Sequence, residues 1–221
     1  MSDGQVSGPC TVKAPTHLLY LHGFRSSPRS FKAQRLAVWL AAHRPDVHWW
    51  CPQLPPSPAA AMALVRAGIA LWPAATSAVL GSSLGGFYAT VVAQATGWPA
   101  VLLNPAVDPA RDLATYIGDQ TAFHDPEERF IFRAEYVEEL RAMTPPAIAH
   151  PDRHFAVIAM GDEVLDWREM TARYQGAQIR LLEGGDHALS DFDDHLHPIL
   201  RFLKLCDSRT RSASSPAPPK A

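Results

Sequence analysis

Ala78-Val79-Leu80-Gly81-Ser82-Ser83-Leu84-Gly85-Gly86-Phe87-Tyr88 reads as a brief apolar strand, a glycine-pinched turn with a serine at its apex, and the start of a helix. Gly81, Ser83 and Gly85 fit the pattern Gly-x-Ser-x-Gly. A strand-to-helix turn this sharp forces its central residue into a strained conformation and exposes its hydroxyl above the sheet. The glycines are required because a Cβ at either place would meet the neighbouring strand or helix. Strain of this kind is characteristic of functional sites. The pentapeptide by itself is common, so its weight comes from what lies on either side.

Outward from this turn, short apolar runs alternate with helical patterns. Strands are expected at His17–Leu21, Val47–Cys51, Ala78–Gly81, Ala100–Leu103, Phe155–Met160 and Gln178–Leu182. Helices are expected from near Ser30, over Ala59–Leu71, Leu84–Ala95, Glu135–Met143 and Trp167–Tyr174, and at the end of the chain. In that last helix Phe192, Leu196, Ile199 and Leu203 share a face, and Pro198 is expected to kink it or divide it in two. Repeated βαβ units of this kind make a mostly parallel sheet of about six strands with helices on both faces, and the expected spatial order is 2-1-3-4-5-6. Between Val107 and Pro146 charged and aromatic residues mix and no strong strand is expected.

The 221 residues suit one domain with a substantial core. The domain is expected over 15–206, between a loose leader at 1–14 and a disordered tail at 207–221 that is rich in Ser, Pro, Arg and Ala. A net charge of -2 gives no basic field for nucleic acid and no polybasic stretch for a membrane surface. The longest apolar run, Ala59–Ala75, is interrupted by Arg66 and Pro73 and is too short and mild to span or insert into a membrane. No signal peptide is evident. Cys10, Cys51 and Cys206 are scattered and odd in number, without metal-ligand spacing. A reduced, cytoplasmic setting is the simplest reading, with no metal and no cofactor called for.

In open parallel sheets the functional groups gather at the carboxyl ends of the strands. There the chain places His22-Gly23-Phe24, Ser83, Asp162 and His187. A serine hydroxyl needs a base, and the base needs a carboxylate to hold its tautomer. His187, in Gly184-Gly185-Asp186-His187 straight after a strand, is the best placed of the ten histidines. Asp162 follows the fifth strand and is the expected acid. Asp166, better read as a helix cap, and Asp108, after the fourth strand, are competitors. Asp186 adjoins the base but should point away from it. The chain order Ser–acid–His is that of α/β-hydrolases. The amides of Leu84 and Phe24 are the expected donors to a developing oxyanion. His195 and His197, two apart on a helix, face different ways and make no joint metal site.

Taken together, Leu19-Tyr20-Leu21-His22-Gly23-Phe24, Ser26-Ser27-Pro28-Arg29-Ser30, Gly81–Ala89, Leu103-Asn104-Pro105-Ala106-Val107, Gly161–Asp166 and Gly185-Asp186-His187 resemble the YqiA-type esterases, over roughly residues 17 to 205. The resemblance implies a single-domain α/β-hydrolase with a minimal lid, here residues 107–146. It also implies a serine esterase or thioesterase acting on a small acyl ester or thioester, with Ser83, Asp162 and His187 in the catalytic places. Arg25 departs from the pattern, where a small polar residue is more usual, and bears on the substrate charge preferred. Two rivals stand beside this reading: a same-fold enzyme with other chemistry, such as a peptidase or carbon–carbon hydrolase, and a non-catalytic binding protein on the same scaffold. Oligomeric state is not legible in the sequence.

Overall fold

A computed structural model describes residues 13–206. The tail at 207–221 and all but the last two residues of the leader at 1–14 lie outside the described residues, as does Cys10. The elements in order are β1 (His17–Leu21), α1 (Phe31–His43), β2 (His48–Trp50), α2 (Pro58–Ile69), β3 (Ser77–Ser82), α3 (Leu84–Thr96), β4 (Ala100–Leu103), α4 (Pro109–Leu113), β5 (Gly118–Ala122), β6 (Asp125–Phe132), α5 (Ala134–Met143), β7 (His154–Ala159), α6 (Trp167–Arg173), β8 (Gln178–Leu182) and α7 (Phe192–Phe202). Short 3₁₀ turns at Ala74–Thr76, Ala114–Tyr116 and Pro151–Arg153 join some of them.

The main sheet has six strands in the order β2-β1-β3-β4-β7-β8, which is the expected order. Every pairing in it is parallel, with β1 flanked by β2 and β3 and the β4–β7 pair running from Ala100↔His154 to Leu103↔Val157. Alternation along the strands sends side chains to two apolar layers. Leu18, Tyr20, Leu80, Val101 and Val157 face Ala33, Leu36 and Leu40 of α1 and Phe192 and Ile199 of α7. Leu19, Leu21, Val79, Leu102 and Ile158 face α2 and α3, with Val137 and Leu140 of α5 and Met170 of α6 completing that layer. α3 is buried from Leu84 to Ala93, which is why its sequence lacks a polar stripe.

Two expectations are corrected. The first concerns 107–146, which contains an antiparallel hairpin of β5 and β6, registered from Gly118↔Phe132 to Ala122↔Asp125 with a bulge at Thr121/Ala122. Its strands are hard to see in sequence because β5 is polar, the first half of β6 is dominated by charged residues, and the turn lacks an Asn-Gly or Asp-Gly signal. The hairpin is held by one face: Phe132 is buried against Phe24, while Ile131 beside it faces solvent. The second concerns α7: of the kink or division expected at Pro198, division does not occur, and one helix runs through that residue. Proline removes one helical hydrogen bond, but Phe192, Ile199, Leu200 and Leu203 are buried along the helix and outweigh that loss. No helix among the described residues is long and apolar enough to cross a membrane.

Candidate active site

Ser83 sits at the junction of β3 and α3 with φ 57 and ψ -123. For a residue with a Cβ this is strained by about 1–3 kcal/mol and persists only because the surroundings fix it. Its amide donates to Leu103 O (2.9 Å), and its carbonyl accepts from Gly86 N (2.8 Å) and Ala106 N (3.1 Å). The flanking glycines have no room for a side chain: a Cβ on Gly81 would lie 1.9 Å from Gly85 O, and one on Gly85 would lie 1.9 Å from Leu21 O. Ser82, the last residue of β3, is buried.

The ends of three other strands converge on Ser83. His187 Nε2 lies 2.9 Å from Ser83 Oγ, and His187 Nδ1 lies 2.8 Å from Asp162 Oδ2. The Asp162 side chain is wholly buried, and its other oxygen accepts from Val164 N and Leu165 N, each at 2.8 Å. These bonds leave one carboxylate oxygen for the imidazole and set the ring's tautomer, with the proton on Nδ1 and Nε2 open towards the serine. Asp166 and Asp108 are elsewhere: each caps a helix, Asp166 by accepting from Arg168 N (2.8 Å) and Asp108 from Arg111 N (3.2 Å). Asp186 is engaged by Ser190, accepting from its amide and its hydroxyl.

Phe24 and Leu84 reach the same place from two sides. Gly23 passes so close that a Cβ there would lie 3.3 Å from Ser83 Cβ. Leu84 opens α3, where helical amides lack internal partners. His22 orients the loop. Its Nε2 accepts from Leu54 N (3.1 Å), so Nδ1 carries the proton and donates to Gly23 O (3.0 Å). With that carbonyl held by the ring and the peptide trans, the Phe24 N–H points the opposite way. Burial holds the His22 pKa below its ordinary value, which keeps the ring neutral for both bonds.

Sequence reasoning missed three supports. Asn104, fully buried with φ 40, donates from Nδ2 to Asp186 O (3.0 Å) and His187 O (3.2 Å) and accepts from Ala159 N (2.8 Å). Glu163 accepts from the His187 amide at 2.9 Å. Lys32 of α1 donates to Ala188 O. A polar residue straight after an apolar strand was the available signal for Asn104; Lys32 had none, because it lies on an ordinary amphipathic helix.

A cleft of about 390 Å³ opens over Ser83 and His187, walled by Leu113, Tyr116, Phe123, Val164 and Leu165. Arg25 ties the hairpin to this cleft: its Nε donates to Thr121 O (2.6 Å), its guanidinium lies 4.3 Å from the centre of the Phe123 ring, and Phe123 N donates to Arg25 O (2.8 Å). The Phe24 ring packs edge-on against Phe132 (5.1 Å), Tyr116 and Phe130. A larger cleft of about 480 Å³ lies beyond Phe24 and Leu84, towards Leu54, Tyr88 and His124, and does not reach Ser83. His195 is engaged with Arg180 and Asp191, apart from His197. Among the described residues no group of three or more His, Cys, Asp or Glu side chains is arranged to hold a metal ion.

Solved structures with this architecture include α/β hydrolase domain-containing protein 10 from mouse (14% identity, 88% of this chain and 92% of that chain covered, TM-score 0.60). Est1E from Butyrivibrio proteoclasticus is similar at 15% identity over 88% of this chain and 87% of its own, with TM-score 0.57. The esterase domain of a Rhodothermus marinus protein matches at 18% identity over 86% and 89%, with TM-score 0.56. At such identities the likeness establishes the α/β-hydrolase fold. Membership is decided by residues 17–204, which span β1 to the end of α7 and match one family throughout: the chain belongs to the uncharacterised protein family UPF0227.

Proposed function

We propose that the chain is a serine hydrolase that cleaves carboxylic esters or acyl thioesters through an acyl-enzyme. The observation that carries this reading is the run of hydrogen bonds from Asp162 through His187 to Ser83, at 2.8 and 2.9 Å, ending on a residue held at φ 57. A buried carboxylate, an oriented imidazole and a hydroxyl on a strained turn, in that sequence, are the parts that activate a serine.

In this mechanism His187 Nε2 takes the Ser83 Oγ proton as Oγ attacks the acyl carbon. The carbonyl electron pair moves onto oxygen, where the Leu84 and Phe24 amides meet it, helped by the N-terminal end of α3. Collapse expels the alkoxide or thiolate, which takes its proton from His187. Water then enters, gives a proton to His187 and attacks the acyl carbon; Ser83 leaves with that proton and a carboxylic acid is released. Asp162 holds the imidazole and stabilises its charged form throughout. Residues 107–146 serve as a small lid whose apolar inner wall receives the acyl chain. Esterases among the neighbours of the same fold support the class of reaction.

The test is labelling with a fluorophosphonate, followed by mapping of the modified peptide. The expected adduct is on Ser83. No adduct, or an adduct on another residue, would sink the mechanism.

A further inference from the structure

Besides the cleft walled by Leu113, Tyr116 and Phe123, a second pocket of about 200 Å³ reaches Ser83 and His187. Its far wall is built by the β1–α1 loop and α1 and carries Ser26, Ser30 and Lys32. It continues outward into a groove of about 420 Å³ that shares Ser30, Lys32 and Ala188 and adds Phe31 and Ser190. Lys32 therefore stands where the inner pocket meets the open surface.

The polar groups here are under-used by the fold. Lys32 spends one donor on Ala188 O and, among the described residues, has no carboxylate within ion-pair distance. The acids nearest in charge, Asp186 and Asp162, are engaged by Ser190 and His187. Ser30 occupies the N-cap position of α1 but does not cap it. Its Oγ lies shielded from solvent close to the Tyr20 hydroxyl, without a hydrogen bond of good geometry. A helix start without its side-chain cap is less stable, and a partly buried ammonium with no directly paired carboxylate is costly.

We propose that this pocket is a subsite for an anion carried on the leaving group of the substrate, a carboxylate or a phosphate, with Lys32 as its charge partner and Ser26 and Ser30 as hydroxyl donors. The inference rests on Ser83 being the nucleophile. The leaving group is assigned here because Ala188, which floors the pocket, adjoins His187, the residue that protonates the departing atom. The apolar cleft on the other flank is left for the acyl chain. The substrate is accordingly two-faced, with an apolar acyl arm and a charged alcohol or thiol arm. Desolvation pushes the Lys32 pKa down to about 8, a cost that a bound anion would relieve.

The experiment compares 3-carboxyphenyl butyrate and 3-(phosphonooxy)phenyl butyrate with neutral 3-carbamoylphenyl butyrate on the full chain. At least one anionic ester is expected to show a kcat/KM tenfold or more above the neutral ester, mainly through KM, and the larger ratio identifies the anion. Lys32→Met should bring the ratio close to one, and Lys32→Arg should keep most of it. A wild-type ratio at or below one, or a ratio unchanged in Lys32→Met, overturns the subsite. Competition by 3-hydroxybenzoate against 3-hydroxybenzamide in the wild-type protein is a check independent of variant folding; equal inhibition also overturns it. Hydrolysis of the neutral ester without anionic preference defeats the subsite alone. No hydrolysis of any ester, with no labelling of Ser83, defeats the hydrolase reading and this one with it.

Discussion

Asn104 donates to the main-chain carbonyl of His187 at 3.2 Å, from a side chain that also accepts from Ala159 N at 2.8 Å. One amide at the end of β4 thus joins the strand leading to Asp162 with the loop that carries His187. Asn104→Asp preserves the acceptor for Ala159 but sets a carboxylate oxygen against two carbonyls. It should lower kcat by about a hundredfold, as expected when a catalytic group is misplaced by about an ångström. Asn104→Ala leaves several buried groups unsatisfied and should cost about 2–4 kcal/mol in denaturant unfolding. If Asn104→Asp keeps the wild-type kcat, Asn104 does not position the imidazole.

Ser82 and Ser83 are adjacent but differently placed, one buried in β3 and one at the apex of the turn. Ser83→Ala should reduce turnover by about 10⁴–10⁶ with little change in melting temperature. Ser82→Ala should act on stability and leave turnover within a few-fold. The two effects are read by initial rates and thermal unfolding on the same preparations.

Reading these residues from sequence worked where burial left a strong pattern. Strands such as Leu18–Leu21 and Phe155–Ala159 are buried on both faces, so they appear as short apolar runs, and their succession implies the parallel sheet. The strand ends then place Ser83, Asp162 and His187 on one edge, where the structure brings them within hydrogen-bond distance of one another. The hairpin was illegible because it rests on a single inward face and borrows much of its support from Phe24 and Arg25, about a hundred residues away in sequence. Asn104 and Lys32 act through main-chain carbonyls, and such contacts leave no trace in hydrophobic periodicity.

The charge on Lys32 gives the anion subsite a pH signature. Its pKa is lowered to about 8 by desolvation, with Asp186 and Asp162 acting in the opposite sense. The ammonium is therefore present below about pH 8 and lost as pH rises through it. The kcat/KM ratio of anionic to neutral ester should fall across that window; because the ratio is taken at each pH, changes common to both substrates cancel. A ratio independent of pH between 7 and 9 would contradict the assignment.

His154 makes the fold sensitive to acid. It is buried in β7, its Nδ1 donates to His150 O (2.8 Å), and its Nε2 has no partner. Desolvation lowers its pKa below 6.5, against the opposing pull of the His150 carbonyl and Asp152. Below about pH 6.5 the unfolded chain takes up a proton that the folded chain refuses, so stability declines as pH falls. The melting temperature should drop less between pH 7.5 and 5.5 in His154→Phe than in the wild type, with His22 retaining part of the sensitivity. Parallel curves would show that His154 is not responsible.

Arg25 can be separated from its own backbone strain, since its φ of 59 suits glycine. Arg25→Gly keeps the loop path while removing the bond to Thr121 and the contact with Phe123. Amide exchange over 118–132 should quicken and KM for a butyryl ester should rise several-fold, with the melting temperature little changed. Unaltered exchange would mean that the Arg25 side chain does not hold the hairpin.

The crossover from β4 to β7 leaves and re-enters the sheet between hydrogen-bonded neighbours, and everything that walls the cleft between α4 and α5 hangs from it. Within that excursion, 118–132 pairs only with itself and contributes no strand to the six-stranded sheet. It is consequently an exchangeable cassette. Hairpins that keep Phe130 and Phe132 against Phe24 should be graftable between Ile117 and Arg133, redrawing the cleft while the four strand ends that hold Ser83, Asp162, His187 and Asn104 keep their register.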